Sequence, residues 1–185
     1  MTRERQLLES ELLVVRWKRG DRAAFEPMVE LWEKPLLYYL RQLTSSEADA
    51  LEVLQETWLR IFRSLHSLRD PRALPAFLYR TARNVALTRL KQPDLQELGS
   101  KEFADLRDAR QSDCFSDFHN AEQVHHALAR LPLAQREILT LFFLKDLSLE
   151  EMSALLGVPV GTVKSRLHYA KRAIKEILSQ GESHA

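Results

Sequence analysis

The chain has 185 residues, of which 45% are hydrophobic and 29% charged, and its formal net charge is +1. That much apolar material excludes a disordered chain. Few glycines and long stretches of 3.6-residue periodicity point to an all-α fold of one large or two small helical domains. A single cysteine, Cys114, excludes an intramolecular disulfide. With no leader-like segment after Met1 and no apolar run of about 18 residues, the expectation is a cytoplasmic chain without membrane insertion.

The near-zero net charge hides segregation. Residues 72–91 hold five basic and no acidic side chains, whereas residues 92–123 hold eight acidic against three basic. Gly20-Asp21 ends an opening helix, and Asp21 can cap the next, which carries Phe25, Met28, Val29, Trp32, Leu36, Leu37 and Leu40. Pro35 should kink or divide that helix. Ser45-Ser46-Glu47 starts a third helix running to about Leu65. On it Leu51, Leu54, Trp58, Ile61, Phe62 and Leu65 have core spacing, opposite Asp49, Glu52, Glu56, Arg60 and Arg63 with Leu59 among them. Leu59 between carboxylates suits either a docking face or an ordinary solvated one.

Residues 69–72 read as a loop, and Pro75 fits the first turn of a fourth helix ending before Pro93. Leu78, Ala82, Val85, Ala86 and Leu90 supply its packing face. Arg80, Arg83, Asn84 and Lys91 line another, with Phe77 and Leu87 on the basic side and Tyr79 at its border. Cations there can track phosphates, and aromatic rings beside them can stack on unpaired bases. Phe77 suits the core equally well.

Periodicity weakens over residues 92–120, an expected acidic flexible linker. A second block begins near Ala121, and Leu131-Pro132 marks a boundary. Ile138, Leu139, Leu141, Phe142 and Leu144 build a buried helix. Then comes the most specific pattern in the chain. A short amphipathic helix is followed by Gly157-Val158-Pro159 and a second helix whose first turn is polar and basic, the order of a helix-turn-helix. On a wheel from Thr162, Val163, Leu167, Ala170, Ile174, Ile177 and Leu178 share one face, roughly 60° to 160°. Lys164, Ser165, His168, Tyr169, Lys171, Arg172 and Lys175 fill most of the rest, and Arg166 falls at the apolar margin. DNA contact by this helix is the expected chemistry.

No catalytic or metal constellation appears. His125 and His126 are adjacent and point about 100° apart on a helix, no histidine has ligand spacing with Cys114, and there is no Gly-rich phosphate cradle. The expectation is no cofactor, no metal and no enzymatic activity of its own.

Taken together the motifs resemble a bacterial sigma factor of the extracytoplasmic-function (ECF) class, the short kind with regions 2 and 4 only. The run from Gly20 to Glu26 resembles that family's opening signature. The stretch from Asp49 to Trp58 resembles its polymerase-docking helix, and Phe77 to Asn84 its −10 helix. Leu131-Pro132, Arg136-Glu137 and the run from Gly161 to Leu167 resemble its −35 module. The departures are Leu51 and Thr88, where acidic residues are common, and Tyr169, where arginine is.

The resemblance implies a region 2 domain over 1–91, a linker over 92–120 and a region 4 domain over 121–185. It implies partners as well: core RNA polymerase (the β′ clamp helices and the β subunit), promoter DNA and an anti-sigma factor. Asp49, Glu52, Gln55, Glu56 and Leu59 would dock on polymerase. Arg69, Arg72, Phe77, Tyr79, Arg80, Arg83, Asn84 and Lys91 would hold the −10 element, with an extruded base captured at residues 68–74. Thr162, Lys164, Ser165, Arg166 and His168 would approach −35 bases, and Lys171 and Arg172 would anchor phosphates. The competing expectation is a stand-alone dimeric helix-turn-helix regulator, which predicts an inverted-repeat site bound without polymerase.

Overall fold

The computed structural model describes residues 3–90, 121–144 and 147–182; the expectations for Lys91, Cys114 and the 92–120 linker lie outside them. Every regular element among the described residues is helical. The chain divides into two compact units, Met1–Gln92 and Pro93–Ala185.

The first unit packs α1 (Arg3–Lys18), α2 (Phe25–Leu43), α3 (Glu47–Ser64) and α4 (Leu74–Leu90) around one core. Helix α1 ends at Gly20, whose φ of +92° a side chain would resist. Asp21 then caps a 3-10 turn, Arg22–Ala24, by accepting from the Ala23 N–H at 3.1 Å, and α2 follows directly. Helix α2 runs through Pro35 undivided. The Leu31 carbonyl, which Pro35 cannot serve with an N–H, is approached by Gln6 Nε2 of α1 at 3.5 Å. Trp32 is fully buried and donates its Nε1–H to Ser10 Oγ at 2.9 Å, so its one polar atom is satisfied.

Helix α3 starts where Ser46 Oγ accepts from the Asp49 N–H. Its buried face is Ala50, Val53, Leu54, Thr57 and Ile61. That corrects the expected core face: Leu51 and Phe62 are exposed, and Trp58 is only partly covered. The buried arc is shifted toward Ala50, Val53 and Thr57, which a wheel read by its largest apolar residues passes over. Leu78, Ala82, Val85 and Ala86 face inward on α4 as expected; the Leu90 side chain is outside the described set.

The second unit holds α5 (Ala121–Ala129), α6 (Leu133–Leu144), α7 (Leu149–Leu156) and α8 (Val160–Glu182). Helices α5, α6 and α7 all pack against α8. Leu128, Ile138, Leu139, Leu141, Met152, Val163, Ala170 and Ile174 are its most buried apolar side chains.

Candidate nucleic-acid and polymerase interfaces

Helix α7 is fixed at both ends. Ser148 Oγ accepts from the Glu151 N–H at 3.2 Å while Glu151 Oε2 accepts from the Ser148 N–H at 2.8 Å, a reciprocal capping box. Gly157 closes the helix at φ +71°, its N–H donating to the Ser153 carbonyl at 2.9 Å. Ser153 Oγ then donates to the Val158 carbonyl at 2.6 Å. The turn is therefore rigid, and α8 leaves it at a defined angle. Gly157→Ala is expected to cost about 1–2 kcal/mol, the penalty of a Cβ in the left-handed region. Nothing lies within 4 Å of that Cβ, so the cost is conformational alone. Thermal unfolding of Gly157→Ala beside Gly157→Asn checks it: alanine should be the worse, and equal melting temperatures would contradict the argument.

The geometry sorts the −35 candidates. Lys164, His168 and Arg172 are exposed along one strip of α8, and Thr162 and Ser165 are half-buried beside it. The Arg172 guanidinium pairs with Glu176 at 3.2 Å. Lys171 is half-buried, its ammonium 4.1 Å from the Phe142 ring centroid. Arg166, expected among the base readers, is only 8% exposed and turned into the unit. Its place at the margin of the apolar arc lets the aliphatic stem join the core.

The −10 candidates divide as well. Arg80 and Asn84 are exposed on α4, and Phe77 and Leu87 are half-buried. Tyr79 is fully buried and is corrected to a core residue: its ring meets Trp32 and Tyr39 edge-on, at 6.3 Å and 5.3 Å between centroids. Arg83 is likewise buried, at 8% exposure. Arg69 and Arg72 are exposed. Asp70 Oδ1 accepts from the Arg72 N–H at 3.0 Å, and that bond holds the Asp70 carboxyl below the usual carboxylate range. An open groove of about 350 Å³ between α3 and α4 is lined by Arg60, Arg63, Ser64, Thr81 and Asn84.

On α3, Gln55 and Leu59 are exposed as expected of a docking face. Asp49 accepts from Ser46 Oγ at 2.6 Å, Glu56 pairs with Arg60 at 2.8 Å and Glu52 pairs with Arg89 of α4. The sequence placed Leu59 on this face but put Leu51 and Phe62 in the core. Leu51, Leu59 and Phe62 are all exposed on it.

The family described as Sigma-70 region 2 matches residues 28–94, and that described as Sigma-70, region 4 matches residues 121–174. Together these matches span well over half of the sequence. The chain belongs to the sigma-70 family. It carries regions 2 and 4 and is a sigma factor of the ECF class. It is 29% identical to the RNA polymerase sigma-H factor of Pseudomonas aeruginosa, over 92% of this chain and 94% of that protein. With the ECF RNA polymerase sigma-E factor of Escherichia coli K12 it shares 29% over 90% of this chain and 93% of that one. With the ECF sigma factor SigW of Bacillus subtilis it shares 25%, over 87% and 92%. Two solved structures have the same fold: CnrH, in complex with the cytosolic domain of CnrY, and the sigma factor RpoE of Bartonella quintana, in complex with the anti-sigma factor NepR. Their TM-scores are 0.65 and 0.62, each at 22% identity. The first covers 93% of this sigma factor and 98% of CnrH, the second 84% and 96%. Among the described residues no helix of this sigma factor is long and apolar enough to cross a membrane.

Proposed function

We propose that the chain is a transcription initiation factor that docks on core RNA polymerase through α3 and grips a promoter at two points. The single observation carrying this is the presence, in order within one chain, of sigma-70 regions 2 and 4. The rest supports it physically. Leu51, Leu59 and Phe62 give α3 an apolar stripe with Gln55, Glu52 and Glu56 near it, a surface suited to a partly basic helical partner. Arg69, Arg72, Arg80 and Asn84 are the exposed −10 candidates that remain, and Thr162, Lys164, Ser165 and His168 the −35 ones. The chain contributes recognition, and the polymerase it recruits does the chemistry. A regulatory anti-sigma partner, such as the NepR bound by RpoE of Bartonella quintana, is part of the same proposal.

Reconstitution with core polymerase on a randomised promoter pool tests the reading. The expected result is a set of transcripts sharing two upstream elements. No transcript from any template, together with a palindromic footprint by the protein alone, would replace this function with a dimeric regulator. Arg80→Ala with Asn84→Ala should leave the melting temperature unchanged, because both side chains are exposed. Open-complex formation should fall, and the salt slope should shrink by about 1 if Arg80 meets a phosphate. An unchanged slope removes Arg80 from the contact set.

A further inference from the structure

We infer that the end of α1 and the turn after it form a track for the phosphate backbone of an unpaired promoter strand, extending the −10 surface through Lys18, Arg19 and Arg22 together with Arg69. The inference rests on the −10 reading of the first unit.

Two segments some fifty residues apart meet here. Helix α1 packs on the 3-10 turn Pro71–Ala73, and Lys18 Nζ donates to the Arg69 carbonyl at 3.2 Å. Six cations gather in these segments: Arg16, Lys18, Arg19, Arg22, Arg69 and Arg72. Two carboxylates face them, and each is already committed. Asp21 pairs with Arg16 at 2.7 Å and caps the Ala23 N–H; Asp70 pairs with Arg72 at 3.3 Å and caps the Arg72 N–H. That leaves Lys18, Arg19, Arg22 and Arg69 exposed; among the described residues Arg19, Arg22 and Arg69 make no ion pair, and Lys18 acts on Asp70 only as a nearby charge.

The character of the patch selects its occupant. The Arg22 guanidinium lies 4.4 Å from the Trp17 ring centroid, which orients it while its N–H edge stays open. Trp17 itself is buried, and the exposed ring beside it, Phe62 of α3 at 5.1 Å between centroids, belongs to the proposed polymerase face. No large apolar residue between Leu13 and Ala24 is exposed. Protein partners generally bury an apolar centre, whereas nucleic-acid surfaces are polar and strongly cationic. Charge without base-reading groups fits a backbone. The patch also adjoins residues 68–74, where an extruded base would enter, so the strand leaving that point meets cations.

The test uses the assembled holoenzyme and a promoter taken from the wild-type selection, premelted across its −10 element by mismatches. Association constants are measured across a potassium chloride series for wild type, Lys18→Ala with Arg19→Ala, and Lys18→Arg with Arg19→Lys. Each single-strand phosphate contact contributes about 0.7 to the slope of log K against log salt, so the alanine pair should lose about 1.4 and the charge-preserving pair nothing. Affinity for core polymerase, measured separately with labelled protein, should not move. An unchanged slope overturns the track. So does an unchanged slope with weakened core affinity, which would assign the patch to an acidic protein surface. Loss by the charge-preserving pair equal to that of the alanine pair would show a structural role and overturn it as well. Wild-type holoenzyme with no preference for its selected promoter would instead strike the underlying −10 reading.

Discussion

Tyr79→Ala is expected to unfold the first helical unit rather than to trim its DNA contacts. The side chain is fully buried, wedged edge-on against Trp32 and Tyr39. Removing a buried aromatic ring costs about 3–5 kcal/mol, from lost transfer energy and from the cavity left behind. A whole domain holds only about 5–15 kcal/mol, so much of the unit's margin would go at once. The expected observations are a large fall in the urea midpoint and simultaneous loss of polymerase binding and promoter binding. Tyr79→Phe keeps the ring and should retain most of the stability. A folded, polymerase-competent Tyr79→Ala protein with a defect confined to promoter opening would restore Tyr79 to the DNA surface.

Why sequence reading put Tyr79 at a DNA-facing border shows where such reading stops. Helix ends, caps and the division of α4 into two faces follow from local chemistry. Asp21, Ser46, Ser148 and Gly157 all act at the termini that their residue types announce. Which side of an aromatic or arginine at a face boundary turns inward depends on neighbours from other helices. For Tyr79 those are Trp32 and Tyr39 of α2; for Arg166 the boundary is the apolar arc of α8. The same limit explains Leu51 and Phe62. Their size suggested core, but the buried arc of α3 is centred on Ala50, Val53, Leu54, Thr57 and Ile61, which leaves Leu51 exposed and Phe62 at the margin, its ring against Trp17 and Phe25 but nearly half exposed. Lys18, Arg19 and Arg22 lie close together in the sequence, yet nothing local connects them with Arg69. Only the packing of α1 on residues 71–73 brings the two segments together.

The exposed apolar stripe of α3 and its paired carboxylates belong to one design. Glu52 and Glu56 are each neutralised within the unit, by Arg89 and Arg60. Surface pairs of this kind contribute at most about 1 kcal/mol, so a basic partner can exchange them at little cost. Leu51, Leu59 and Phe62 then supply the desolvation that such exchanges do not. If α3 is the docking face proposed above, affinity for polymerase is expected to come mainly from the apolar residues, with the charges serving orientation.

The second large effect is expected from Lys164→Ala combined with His168→Ala. These side chains stand one turn apart on the exposed strip near the start of α8, where a helix-turn-helix presents its recognition helix to base edges. The capping box of α7 and the left-handed Gly157 fix that helix start, so the side chains are delivered without ordering a loop on binding. Each lost base contact costs about 1–3 kcal/mol. The pair together should therefore weaken recognition of the −35 element by roughly 30-fold to 10⁴-fold. Competition between the selected promoter and one with a scrambled −35 element measures it: wild-type holoenzyme should discriminate strongly and the double variant weakly. A uniform loss on both templates with a shallower salt slope would reassign the two residues to phosphate contact. Arg166→Ala makes the counter-experiment. Because Arg166 is only 8% exposed, its removal should lower the melting temperature of the second unit, whereas the exposed pair should leave that temperature alone. An Arg166→Ala protein of wild-type stability that has lost −35 preference would show that the guanidinium swings out to the groove, and the base-reading strip would then have to be redrawn around it.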